Sequence, residues 1–230
     1  MPRAIIFDLF HTLLYDEGTG LRERAIEIAR HAGIAEEDLL RGWQATRHEA
    51  DRGAIRSLVG RVRRALSEVG HEDPDGALAD RLTGVLLARY SPALYADVRQ
   101  ALVEVRRRGY KVGLVSNLSR SDTPWLQEFE LDAYFDAIVL SCEAGMAKPE
   151  RGIYLLAAER LETKPEECVF VDNAPAYLAG ARDVGMTTVQ ITRAGSEWMH
   201  AEAGPTDAAP DLSIAELREL LDWLPEKAAQ

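Results

Sequence analysis

Five short runs of Val, Ile, Leu and Phe constrain this chain more than any other feature: Ala4 to Asp8, Lys111 to Ser116, Ala137 to Ser141, Cys168 to Asp172, and Thr187 to Ile191. Each is apolar almost throughout and does not alternate, the pattern of strands buried on both faces of a parallel sheet. The stretches between the later four carry helical spacing. Glu150 to Leu161 puts Ile153, Leu156, Ala157 and Leu161 on one stripe, and Ala176 to Val184 has the small residues that let a helix pack close to a sheet. Strand and helix alternate, so a doubly wound α/β fold with a parallel sheet is expected.

About a hundred residues separate the first run from the second, far more than one crossover helix needs, so something folded is inserted there. Residues 20 to 91 read as helices, at Leu21 to Ala32, Glu36 to Glu49, Ile55 to Val69 and Gly76 to Tyr90, with Gly33, Gly53, Gly70 and Pro74 as punctuation. The expected division is a core of residues 1–16 and 93–230 with an all-helical unit of residues 17–92. Arg61, Arg63 and Arg64 read as solvated helix faces, not as a binding patch. Arg193 to Pro210, rich in Ala, Gly and Pro, reads as a loop wrapping the surface or a partly mobile segment. After it, Ser213 and Glu216 form a capping box, and Ile214, Leu217, Leu220, Leu221 and Leu224 make the apolar stripe of a last helix.

With 27 Lys and Arg against 38 Asp and Glu the net charge is −11, which repels phosphate backbones and anionic lipid headgroups; nucleic acid and membranes are not expected partners. A small anion still fits if a metal or a local positive group overrides the global sign. The two cysteines, Cys142 and Cys168, sit in apolar runs and read as buried free thiols. The Met1-Pro2-Arg3 start is followed by an apolar run too short for a signal peptide, and no stretch approaches ~18 apolar residues. A cytoplasmic protein is expected. Its oligomeric state is not written in the sequence.

In a parallel sheet ligands sit at the carboxyl ends of the strands. The first run ends in Asp8, the second in Ser116-Asn117, the third in Ser141 with Lys148-Pro149 a few residues on, and the fourth in Asp172-Asn173. In that order these motifs resemble the haloacid dehalogenase superfamily of hydrolases: Ile5 to Asp8 followed by Leu9, Phe10, His11 and Thr12; Leu114-Val115-Ser116-Asn117; Lys148-Pro149-Glu150; and Val171-Asp172-Asn173 through Gly180-Ala181 to Gly185-Met186. The likeness covers nearly the whole chain, and the helical insert sits where some members carry a cap. It implies a three-layer Rossmann-like core and a covalent mechanism with Asp8 as nucleophile. It also implies catalytic roles for Ser116, Lys148 and Asp172, and a magnesium ion held by Asp8, the Phe10 carbonyl and Asp172. Around a small anionic substrate it places Phe10, His11, Thr12, Asn117 and Asn173. Among these, Thr12 is expected to brace the turn, and Asn173 to orient Lys148 or a metal-bound water.

The pattern breaks at Phe10, where phosphatases of this superfamily have an acid that protonates the leaving oxygen. A positioned general acid is typically worth ~10² to 10⁴ in rate. His11, in the place usual for Gly, is a candidate substitute. An aromatic residue at position 10 is also found in the 2-haloacid dehalogenases, which resemble this chain in Ser116-Asn117 and in a Lys with Tyr six residues later, here Lys148 and Tyr154. Those enzymes need no metal and have Ser in place of Asp172. The retained Asp172 favours a magnesium-dependent phosphatase. A binding protein on the same scaffold, suggested by Phe10 and by the absence of a second acid at Tyr177, is opposed by Asp8, Ser116, Lys148 and Asp172 standing together.

Overall fold

All five apolar runs become strands, and their burial explains why none alternates. The computed structural model describes residues 1–16, 21–89, 92–120, 124–194 and 209–225. In chain order the elements are β1 (Ala4–Phe7), β2 (Leu14–Asp16), α1 (Leu21–Ala32), α2 (Glu36–Ala45), α3 (Arg47–Asp51), α4 (Leu58–Glu68), α5 (Ala77–Arg89), β3 (Pro92–Leu94), α6 (Val98–Arg107), β4 (Lys111–Ser116), α7 (Pro124–Glu128), β5 (Ala137–Leu140), α8 (Ser141–Ala144), α9 (Arg151–Arg160), β6 (Cys168–Asp172), α10 (Pro175–Arg182), β7 (Thr187–Ile191), β8 (Leu212–Ile214) and α11 (Leu217–Trp223).

The main sheet runs β5-β4-β1-β6-β7-β8 and is parallel throughout. Alternate residues of β1 feed opposite layers. Ile5 and Phe7 join Val98, Leu102 and Val105 of α6 and Leu217 and Leu220 of α11. Ala4 and Ile6 join Ile153 and Ala157 of α9 and Leu178 and Ala181 of α10. Burying each large side chain contributes about 1.5–3 kcal/mol, so both faces stabilise the sheet and helices cover both, giving the three-layer Rossmann-like α/β core.

The carboxyl-terminal region departs from the expectation of five strands and a helix capped by Ser213. Leu212–Ile214 adds a sixth strand, pairing Ile214 with Ile191, and Ser213 lies exposed at the sheet edge. The helix starts at Leu217 with Glu216 as its cap: Glu219 accepts from the Ala215 and Glu216 amides at 3.0 Å each. Ile214 and Leu217 are both buried, so their spacing of three fits a strand followed by a helix as well as it fits one helix. Of the Arg193 to Pro210 loop, residues 195–208 lie outside the described residues, and Arg193 itself is buried.

The helices of residues 21–89 close a separate apolar cluster around Ile28, Leu39, Val62, Leu66, Ala79 and Leu82. The single helix expected over Glu36 to Glu49 is two. Thr46 interrupts it by turning its hydroxyl back onto the Trp43 carbonyl at 2.8 Å, a local bond that competes with the helix ladder. Where the chain leaves and rejoins the sheet, β2 and β3 pair antiparallel, a ribbon too short to show in the sequence pattern. The expected boundary residues 17–20 fall outside the described set. Cys142 and Cys168 are buried free thiols. Among the described residues no helix is long and apolar enough to cross a membrane.

Candidate active site

β4, β1 and β6 are neighbours in the sheet, so parallel direction alone brings the ends of three of the expected strands together. Asp8 follows β1, Ser116 closes β4 and Asp172 closes β6, with 6%, 1% and 0% exposure. Lys148, from the segment between α8 and α9, reaches between the two carboxylates. Its Nζ donates to Asp8 Oδ1 and to Asp172 Oδ2, at 2.6 Å each. Ser116 Oγ lies 3.5 Å from the same Asp8 oxygen. Both of these contacts of the Asp8 side chain fall on Oδ1.

A family model for haloacid dehalogenase-like hydrolases matches residues 2–185. The chain belongs to that family. Over 99% of both chains it is 32% identical to a glyceraldehyde 3-phosphate phosphatase from Methanopyrus kandleri. It is 29% identical to a ribulose-1,5-bisphosphate 5-phosphatase from Halopiger xanaduensis, over 96% of this chain and 99% of that one. Among solved structures, a HAD phosphatase from Thermococcus onnurineus superimposes with a TM-score of 0.68 at 24% identity over all of both chains. A 2-haloacid dehalogenase from Pseudomonas syringae gives 0.68 at 22% identity over 96% of this chain and 97% of that one. These last two likenesses establish the fold.

Electrostatics in this hydrolase site follow from its charge count, two carboxylates to one ammonium. Burial pushes the Asp172 carboxyl up to about 7; Lys148 pulls it down, and the neighbouring Asp8 charge adds to the rise. For Lys148 burial acts downward, but Asp172 and Asp8 outweigh it and hold the ammonium above its ordinary range. The ring of Tyr177 adds a third electron-rich face, its centroid 4.7 Å from Lys148 Nζ, at the position where many relatives have an acid.

The donors suit a hard cation. Asp8, Asp172 and the Phe10 carbonyl offer only oxygen, and the trio of Asp8, Asp172 and Lys148 is one positive charge short. Among the described residues no three His, Cys, Asp or Glu gather at one point. A cation here would complete its shell with water and substrate oxygen, as magnesium commonly does.

The other candidates divide. Asn117 spends its amide on the backbone of Lys148, donating to its carbonyl at 3.0 Å and accepting from its N–H at 2.8 Å. Asn173 is buried, and its backbone carbonyl accepts from Gln190 Nε2 at 3.5 Å; among the described residues its side chain makes no bond to Lys148, the first of the two roles expected for it, and the second, toward a metal-bound water, stays an expectation. His11 takes a φ of 62°, the left-handed conformation that explains why Gly is usual there. Phe10 packs its ring on the apolar core. Thr12 braces the turn through its carbonyl, which accepts from Arg193, while its buried Oγ1 has no partner among the described residues. Tyr154 donates to the Tyr177 carbonyl at 2.7 Å, and burial raises its pKa.

Two contributors lie outside the sequence candidates. Arg47 of α3 donates to the Tyr177 hydroxyl at 3.4 Å, and Arg193 reaches under the turn that follows Asp8. Neither carries a motif. The only available signal for Arg193 was an arginine two residues after an apolar strand, which looks the same as the start of a solvated loop.

Proposed function

We propose that this hydrolase cleaves a small phosphate monoester, with Asp8 Oδ2 attacking phosphorus and the alcohol oxygen departing with the electron pair of the P–O bond. The observation that carries the reading is Asp172 in the same cluster as Asp8 and Lys148. A fully buried second carboxylate is expensive unless cations compensate it, and a site that bound only a haloacid would have no use for it. Lys148 offsets the charge of Asp8 and faces the transferring group. The Ser116 hydroxyl and the Asn117 backbone amide offer donors to the phosphoryl oxygens, while the Leu118 amide is taken by Ser141 Oγ at 3.0 Å. Magnesium, held by Asp8, the Phe10 carbonyl and Asp172, would supply Lewis-acid stabilisation of the phosphoryl oxygens.

Full-length similarity to phosphatases named for glyceraldehyde 3-phosphate and ribulose 1,5-bisphosphate supports a small phosphorylated substrate. Residues 17–92 act as a cap in this reading, placing Arg47 at the rim of the site and excluding water when closed. Phe10 cannot protonate a leaving oxygen, so substrates with good leaving groups are preferred. A cytoplasmic location agrees with the two reduced thiols.

Phe10 also favours a second reading, 2-haloacid dehalogenation, because halide leaves without a proton. Hydrolysis of an activated aryl phosphate and of a 2-haloacid, each with and without magnesium, separates the two. Magnesium-dependent phosphate release is expected, and magnesium-independent halide release alone would replace this reading with the second. Turnover of neither would favour a binding protein.

A further inference from the structure

Arg193 follows β7, is 4% exposed, and joins segments that are far apart in sequence. Its Nε and Nη2 donate to the Thr12 carbonyl at 3.2 and 2.9 Å, and its Nη1 donates to Asp97 Oδ2 at 2.8 Å. The guanidinium lies 4.2 Å from the centroid of the Tyr95 ring. Asp97 Oδ2 also accepts from the Leu217 amide at 2.8 Å, where α11 begins. Tyr95 in turn donates its amide to the Leu13 carbonyl at 3.1 Å and stacks on Tyr15 with centroids 4.7 Å apart.

The placement of these partners is informative. Thr12 ends the turn that starts at Asp8 and just precedes β2, the strand leading into the helical insert. Tyr95 and Asp97 lie between β3, which leads out of it, and α6. The turn closes on itself through bonds from the Leu13 and Leu14 amides to the Leu9 carbonyl, both at 2.8 Å. Those bonds shape the turn but do not fix it to its surroundings. Leu9 and Leu13 hold the turn by packing into the core, and the Thr12 hydroxyl has no partner among the described residues, so the guanidinium supplies a hydrogen-bonded anchor at the Thr12 carbonyl. Only a planar fork of donors can reach a carbonyl with two nitrogens and a carboxylate with the third; an ammonium cannot.

We propose that Arg193 is a positioning residue for the reaction at Asp8, pinning the turn that bears Phe10 and His11 to the point where the insert rejoins the core. It holds the Phe10 carbonyl and the backbone after Asp8 in register with the nucleophile while the insert moves. The inference rests on the reading of Asp8 as nucleophile, and the test keeps the two apart.

Hydrogen exchange of the 9–14 amides and steady-state hydrolysis of an aryl phosphate are compared in wild type, Arg193→Lys and a control, Arg106→Lys, whose arginine pairs with Asp136 at the surface. For Arg193→Lys the expected result is faster exchange confined to residues 9–14 and 93–98, with kcat down roughly 10- to 100-fold and KM little changed, the scale of cost that small misplacements carry. Asp97→Asn, which removes the carboxylate aiming the guanidinium, gives the same selective loosening at smaller amplitude and serves if Arg193→Lys does not fold. Exchange that is unchanged, or raised equally in β4 and β6, overturns the proposal. So does kcat within twofold of wild type per folded molecule. If the wild type releases no phosphate, the phosphatase reading fails, and the exchange pattern alone decides the role of Arg193.

Discussion

At the ends of β1, β4 and β6 the reacting groups are almost sealed, with Lys148 only 3% exposed between its two carboxylates. The contacts that the helices of residues 21–89 make here, among the described residues, lie at the edge of this cluster. Arg47 reaches the Tyr177 hydroxyl, Arg52 pairs with Glu150 beside the Lys148 segment, and Gly53 packs against the Cys142 carbonyl. The difference teaches where each kind of information sits. The proposed chemistry rests on sheet topology, which brings Asp8, Ser116 and Asp172 together at the ends of neighbouring strands. Under the proposed function, recognition falls to these few edge contacts, from helices held together by an apolar cluster of their own.

Phe10→Asp tests this division most strongly, because it changes the chemistry without touching the insert. Restoring a general acid beside the leaving group should raise hydrolysis of an unactivated phosphate ester by roughly 10² to 10⁴ in kcat. A gain confined to KM would place Phe10 in recognition instead. Lys148→Met should come next in size. It strands two buried carboxylates, which costs about 3–5 kcal/mol in denaturant unfolding. Adding Asp172→Asn to that variant should recover part of the loss, and no recovery would mean the three groups are not coupled.

Gly53→Ala sharpens the comparison from the other side. Gly53 has φ +72°, and a Cβ there would overlap the Cys142 carbonyl oxygen, so the substitution pushes the insert off the core. KM should rise about tenfold, about 1.4 kcal/mol of binding, with kcat within a factor of two to three. A fall in kcat alone would show that the rim takes part in the chemistry. His11→Gly should be smallest, stabilising by up to about 1 kcal/mol through relief of the left-handed backbone, with turnover unchanged. Lost turnover would instead show that the imidazole carries a proton.

The sheet was largely legible because strands buried on both faces leave uninterrupted apolar runs; a polar strand end alone says little, and Asp8, Ser116 and Asp172 could be singled out because the motifs at these ends stand together in the order of the family they resemble. Lys148 was singled out through the same resemblance, in Lys148-Pro149-Glu150. What could not be read depended on contacts between distant segments. The role of Asn117 lies in the backbone of Lys148, and that of Arg193 in the Thr12 carbonyl, neither of which leaves a pattern. The strand at Leu212–Ile214 was hidden because Ile214 and Leu217 suit a helix stripe equally well. The helix of small residues does pack on the sheet as expected, with Leu178 and Ala181 against Ile6 and Phe170; what could not be read is that Gly180 also lets it approach the Pro149 carbonyl, where a Cβ would lie 2.6 Å away.

The most direct test of the account is mass spectrometry of the peptide bearing Asp8, acid-quenched during turnover of an activated aryl phosphate with magnesium. One phosphoryl group bound to Asp8 in the wild type, and none in Asp8→Asn together with loss of turnover, is the predicted result. Continued phosphate release by Asp8→Asn, with no adduct on the wild-type peptide, would contradict it.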